Sequence, residues 1–167
     1  MTKLRLLIMF FIFLIMPSVF LADTAEAAYG TTTVDSTNTT GLYTSIAVGT
    51  SGAAYISYFD STGSDLEYAT NVGGAWGTTT VDSSTTSTGQ YTSIAVGTSG
   101  AAYISYRDVT NTNLMYATNV SGSWGTTTVD STTSADTGQY TSIAVGTSGA
   151  AYISYYDVTR TALMYAT

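Results

Sequence analysis

From Tyr29 onward, short runs of apolar and β-branched residues alternate with clusters of Gly, Ser, Asn and Asp. Within each run the side chains sort by the two-residue period of a strand. Ile46 and Val48 point one way, and Ser45, Ala47 and Gly49 the other. In the next run Ile56 and Tyr58 oppose Tyr55, Ser57 and Phe59. Neither face carries the charges of a solvated sheet, so the pattern predicts strands buried on both sides. No stretch past the first residues shows an extended helical period.

The same pattern recurs in three copies. The middle copy runs from Gln90 to Asp108; from Tyr43 to Asp60 and from Tyr140 to Asp157 the others differ from it only at the residue before the final Asp. Each unit holds four runs. Run A is Thr44–Val48, Thr92–Val96 and Thr141–Val145; run B is Ala54–Phe59, Ala102–Arg107 and Ala151–Tyr156. Run C is Leu66–Thr70, Leu114–Thr118 and Leu163–Thr167; run D is Gly77–Val81 and Gly125–Val129, with a further copy at Gly30–Val34. The A–B link is Gly-Thr-Ser-Gly, a hairpin turn in which Gly permits a positive φ. The unit therefore reads as a four-stranded antiparallel meander.

Stacked meanders that bury both faces are the packing of a β-propeller, with run A innermost. Repeats of about 40–50 residues suit its blades. The fold expected is all-β, with three four-stranded blades in a domain spanning residues 28–167, the N-terminal strand at 30–34 completing the last blade. Three blades fall short of the typical range of about four to eight. Either two chains join as a homodimer closing a six-bladed ring, or the chain is part of a longer propeller. A β-solenoid is disfavoured, because its strands pair in parallel whereas the A–B hairpin is tight.

Composition adds a compartment and removes several chemistries. Residues 1–27 read as a secretory signal peptide: Lys3 and Arg5, then apolar Leu6 to Met16, then Pro17 and the small-residue site Ala25-Glu26-Ala27. That leader implies a secreted product, extracellular or periplasmic, with no membrane attachment after cleavage. The net charge is −7, and the only cations past the leader are Arg107 and Arg160. Such a surface repels nucleic acid. Cys and His are both absent, which excludes disulfides, thiolate metal sites and Ser/His or Cys/His catalysis. No cofactor is implied. Asp60 to Asp65 has a calcium-loop look without the full ligand spacing, and the other copies lose the second carboxylate.

The C–D turns carry a resemblance. Ala69-Thr70-Asn71-Val72-Gly73-Gly74-Ala75-Trp76 is similar to the Asp-box (BNR) repeat of the sialidase-like propellers, with Asn for Asp. Ala117 to Trp124 is a weaker copy, keeping Asn119 and Trp124. The resemblance covers Tyr29 to Thr167 and implies a propeller of secreted bacterial type. It also implies what a sialidase would need: three arginines for the substrate carboxylate, a Tyr assisted by Glu, and an Asp. Here Arg107 and Arg160 occupy non-equivalent repeat positions, and Glu67 lies where the other copies have Met115 and Met164.

A binding module has a different basis. In a propeller the B–C and D–A loops share one face, and the copies differ there: Phe59/Arg107/Tyr156, Gly63/Asn111/Arg160, Asp65/Asn113/Ala162 and Leu42/Gln90/Gln139. Polar pairs beside aromatic rings suit a sugar. The candidate ligand-binding residues are therefore Phe59, Asp60, Arg107, Asp108, Asn111, Tyr156, Asp157 and Arg160, with a glycan as the partner. Asp60, Asp108 and Asp157 have a plainer role open to them, which is to accept backbone hydrogen bonds in the following turn. The alternatives are a sialidase-like hydrolase, or part of one, and a purely structural extracellular repeat.

Overall fold

A computed structural model of the chain describes residues 30–132 and 136–167; the leader read at residues 1–27 lies outside the described residues. The chain divides at Thr31, and the unit Thr32–Thr167 holds every strand described. It is all-β, with no helix among the described residues and eleven strands in sheets of four, four and three. The first sheet is β1 (Leu42–Val48), β2 (Ala54–Asp60), β3 (Asp65–Thr70) and β4 (Gly77–Asp82). The second is β5 (Thr88–Val96), β6 (Ala102–Asp108), β7 (Asn113–Thr118) and β8 (Gly125–Asp130). The third is β9 (Gln139–Val145), β10 (Ala151–Asp157) and β11 (Ala162–Ala166). Strands pair in chain order and antiparallel throughout, so each sheet is the meander expected from runs A to D.

Two local devices set the connections. In the A–B turn the Gly49 N–H donates to the Ala53 carbonyl and the Gly52 N–H to the Gly49 carbonyl, and the other two copies repeat this. In the C–D turn the side-chain oxygen of Asn71 accepts the Ala54 N–H at 2.8 Å, as Asn119 does from Ala102. The Asn that stands for Asp in the turn motif thus ties the end of run C to the start of run B.

The sheets stack through two unlike faces. One presents tyrosines (Tyr55 and Tyr68 in the first sheet); the other presents isoleucines with a single Tyr (Ile94, Ile104 and Tyr106 in the second), and these two faces pack together in one core. Tyr103 and Tyr116 of the second sheet meet Ile143, Ile153 and Tyr155 of the third in the same way. Trp124 packs edge-on against Tyr68 of the preceding sheet at 5.0 Å. The inner strands β1, β5 and β9 lie side by side. There Ser45 Oγ accepts the Ile94 N–H and Ser93 Oγ the Ile143 N–H, each at 3.2 Å. Thr92 bonds Ser57, and Thr141 bonds Ser105, each at 2.8 Å. These serines give edge-strand N–H groups the partners that a sheet edge otherwise lacks.

One expected strand does not form. Residues 30–34 carry no strand, and β11 pairs with β10 alone, so the third sheet is not completed. Asp35 lies instead at the other end of the stack, where the Tyr58 hydroxyl of β2 donates to it at 2.8 Å.

Sheet approach is closest at the glycine that opens β5. Gly89 has φ +102°, and a Cβ there would lie 2.7 Å from the Leu66 Cα. Gly52 has φ +81° with nothing within 4 Å. Left-handed strain alone costs about 1–3 kcal/mol. Gly89→Ala is therefore expected to lower stability more than Gly52→Ala, measured by urea unfolding of the two variants; equal losses would mean that sheet contact at Leu66 adds nothing.

Candidate functional site

The D–A loop and the B–C turn of each repeat are tied together at one end of the stack. The Ser61 N–H donates to the Thr39 carbonyl, Val109 to Ser87 and Val158 to Asp136. In return the hydroxyls of Thr62, Thr110 and Thr159 accept the N–H groups of Thr39, Ser87 and Asp136. Three copies of one loop pair thus present a single end to solvent.

Most of the polar candidate residues serve these loops. Asp60, Asp108 and Asp157 are buried and accept N–H groups from Thr62, Asn111 and Arg160. Each carboxylate also takes a side-chain donor, but from a different place. Asp108 is reached by Asn111 and Asp157 by Arg160 within the same turn. Position 63 is Gly, and Asp60 is reached by Asn38 of the D–A loop at 3.0 Å, as Asp108 is also by Thr85 of its own D–A loop at 3.2 Å. The variation between copies that suggests a ligand surface is, at these positions, a set of alternative donors to one buried carboxylate. Arg107 is likewise buried and paired, its Nε and Nη2 reaching Asp136 at 3.0 and 2.7 Å.

The aromatic candidates come together with three residues that the sequence reading left aside. Tyr43, Tyr91 and Tyr140 form a row across the inner strands, with ring centroids 4.9 Å apart at each step. Phe59 meets the row at Tyr43 and Tyr156 meets it at Tyr140. Tyr140 is 70% exposed and Tyr43 42%. Each of the three sits at an irregularity in its strand pairing with φ of 52°, 53° and 50°. A bulky residue in this left-handed region is a genuine outlier, and the bulge re-aims its side chain. Identical Gly-x-Tyr-Thr stretches at Gly41, Gly89 and Gly138 were the visible signal, but run A was read as starting one residue after each tyrosine.

Tyrosine hydroxyls also join each repeat to the aspartate that precedes it. Tyr58 donates to Asp35, Tyr106 to Asp82 at 2.7 Å and Tyr155 to Asp130 at 2.8 Å. Burial alone would raise Asp82; bonds from Ser84, Tyr106 and Thr88 outweigh it and hold the carboxyl below its ordinary value. Tyr106 is pushed far above the usual phenol range, first by burial and then by Asp82. At the open side of the first sheet, Asp35, Asp60 and Glu67 line a polar cleft of about 250 Å³. Burial raises Glu67, while bonds from Thr37 lower Asp35. Among the described residues no three carboxylates gather as metal ligands.

No protein-family model matches the chain, and a search of the curated proteins finds no match.

The tyrosine–aspartate pair sets a pH dependence. Asp82 has a lowered folded-state pKa, so its contribution is full above about pH 4 and is lost as pH falls through the folded value. Tyr106→Phe is expected to cost about 1–3 kcal/mol at pH 7 and to shrink the acid-induced loss. Unfolding midpoints at pH 7 and pH 3 check this; an unchanged acid loss in the variant would show that the bond does not hold the carboxylate charged.

Proposed function

We propose that the chain is a secreted binding module built from three β-propeller-type blades, and that it holds a neutral glycan along the row Tyr43–Tyr91–Tyr140. The observation that carries this reading is the conformation of those tyrosines. Left-handed backbone costs about 1–3 kcal/mol at a non-glycine residue, and strain of this kind clusters at ligand clamps. Here it recurs at the same position in every repeat and sets three rings in one row, with Tyr43 and Tyr140 exposed and Tyr91 half-buried between them. Packing needs no such turn at Tyr140, which stays largely in solvent.

The chemistry suits a sugar. Pyranose rings lay their apolar faces on aromatic rings, and their hydroxyls need both donors and acceptors beside them. Gln90 and Gln139 precede two of the tyrosines, and Gln139 already shares Asp136 with Arg107 at the foot of the row. An anionic glycan is disfavoured. The chain carries −7 overall, and both Arg107 and Arg160 are engaged with carboxylates.

A second reading, glycoside hydrolysis, rests on the cleft of Asp35, Asp60 and Glu67. Such hydrolysis needs one carboxyl raised and another left ionised, and Glu67 and Asp35 shift in those opposite senses. Release of fluorophore from a glycoside panel that Glu67→Gln abolishes would replace the binding reading with this one.

Tyr140→Asn separates binding from folding. Asn tolerates the left-handed region, so the unfolding midpoint is expected to hold or rise. Retardation on gels containing soluble β-glucan, mannan or galactan is expected to weaken at least about ten-fold, the loss of roughly 1.4 kcal/mol. A lower midpoint with unaltered retardation would overturn the reading.

A further inference from the structure

The stack ends on two open faces that match the two faces joined inside it. The first sheet presents its isoleucine face outward, where Ile46 is 64% and Val48 67% exposed. The third sheet presents its tyrosine face, where Tyr165 is 62% and Leu163 82% exposed. In the two internal contacts the equivalents of these residues are mostly buried, Ile94 and Ile143 against Tyr68 and Tyr116 among them. Exposed apolar faces of this kind mark interaction surfaces.

We propose that a second copy of the chain covers both faces, head to tail. The tyrosine face of β9–β11 in one copy receives the isoleucine face of β1–β3 in the other, and the reverse contact closes a ring of six sheets. The occupant is argued from the repeat itself, since the inner-strand groups that the internal contact uses are present and solvent-facing at the ends. Ser142 stands where Ser45 and Ser93 accept an inner-strand N–H, and Ile46 where Ile94 and Ile143 donate one. Thr44 and Ser154 stand for the pairs Thr92–Ser57 and Thr141–Ser105. All four are on the outside of the stack. Trp76 stands for Trp124, and Tyr165 for the Tyr68 on which Trp124 packs. A head-to-tail contact of this type forms a ring where its rotation closes and a filament where it does not. Six sheets fall within the range of about four to eight in closed propellers.

The N-terminal run supplies the missing strand. Asp35 is held on Tyr58 as Asp82 is on Tyr106 and Asp130 on Tyr155, so residues 32–35 lie against the first sheet as β4 lies against the second. What β4 has and this run lacks is a β3 to pair with, and β11 is a strand without an outer neighbour. The sequence Gly-Thr-Thr-Thr-Val-Asp at residue 30 is the sequence of β4 and β8. In the second sheet Leu114 pairs with Asp130, Met115 with Thr128 and Tyr116 with Thr127. The same register sets Leu163 of one copy opposite Asp35 of the other, Met164 opposite Thr33 and Tyr165 opposite Thr32. Added in this way, the run removes an open sheet edge. Glu67 is the one departure; it faces outward where Met115 faces the internal contact.

This proposal does not depend on the glycan reading. Its test is a disulfide trap in a chain that has no cysteine of its own. Directly opposed residues in antiparallel strands lie about 4.5–5.5 Å apart at Cα, within disulfide range. Thr32→Cys and Tyr165→Cys are made separately in the full chain, mixed and oxidised. The expected result is a crosslinked heterodimer in high yield, little crosslinking of either variant alone, and a yield lowered several-fold by adding Ile46→Lys. Glu67→Met, which restores the residue of the other repeats, is expected to raise it. No crosslink in the mixture, or an intramolecular disulfide at single-chain mass in the double variant, would overturn the proposal.

Discussion

A tyrosine buried on the aspartate of the preceding repeat sets the spacing of the whole stack. Tyr106 is fully buried, and its hydroxyl has one carboxylate to reach, Asp82 at the end of β4. A buried hydroxyl without a partner costs more than its bond returns, and a bond to a charged group contributes about 1.5–3 kcal/mol. The outer strand of one sheet is thereby fixed against the second strand of the next. The isoleucine and tyrosine faces then meet in one register only, and the inner edges come close enough for Ser45 and Ser93 to accept the N–H groups of Ile94 and Ile143. The third example, Asp35 on Tyr58, involves no outer strand, and it shows that the bond holds its run whether or not a sheet stands behind it.

The same economy governs the loop end. Each B–C turn wraps a buried aspartate that takes side-chain donors, and the repeats supply them from different positions: Asn38 for Asp60, Asn111 and Thr85 for Asp108, and Arg160 for Asp157. Sequence drift there is constrained by a carboxylate that must remain paired, because an uncompensated buried charge is strongly destabilising. Left-handed backbone recurs in these turns, at Ser64, Thr112 and Thr161, and again at three constant tyrosines. Tyr43, Tyr91 and Tyr140 are identical in every copy, yet they depart from strand backbone and gather at the surface. The constant tyrosines form the row, and the varied loop residues supply donors to buried carboxylates.

Much of the fold was legible because period and punctuation agreed. Apart from residues 30–34, runs A to D became β1 to β11 with most bounds shifted by a residue or two and the start of β5 by four, since alternation and Gly-rich turns both report on backbone geometry. The stacking of sheets was legible from the lack of charge on either face. Three features were not. The bulges at the tyrosines break alternation without changing a residue type. The donors to Asp60, Asp108 and Asp157 depend on which loop approaches, which one repeat does not record. The run at residues 30–34 has the sequence of a strand, but a strand also needs a neighbour, and this run lies by Tyr58 of the first sheet with no strand to pair with. Of the residues read as candidates, Phe59 and Tyr156 lie beside the tyrosine row, which the sequence reading left aside.

One contact, repeated, accounts for the stack and for both of its open ends. The mass of the chain in solution, by light scattering after size exclusion at micromolar concentration, tests this most directly. Complementary end faces predict a single species of twice the chain mass. A stable monomer that keeps Ile46, Val48, Leu163 and Tyr165 in solvent would contradict it.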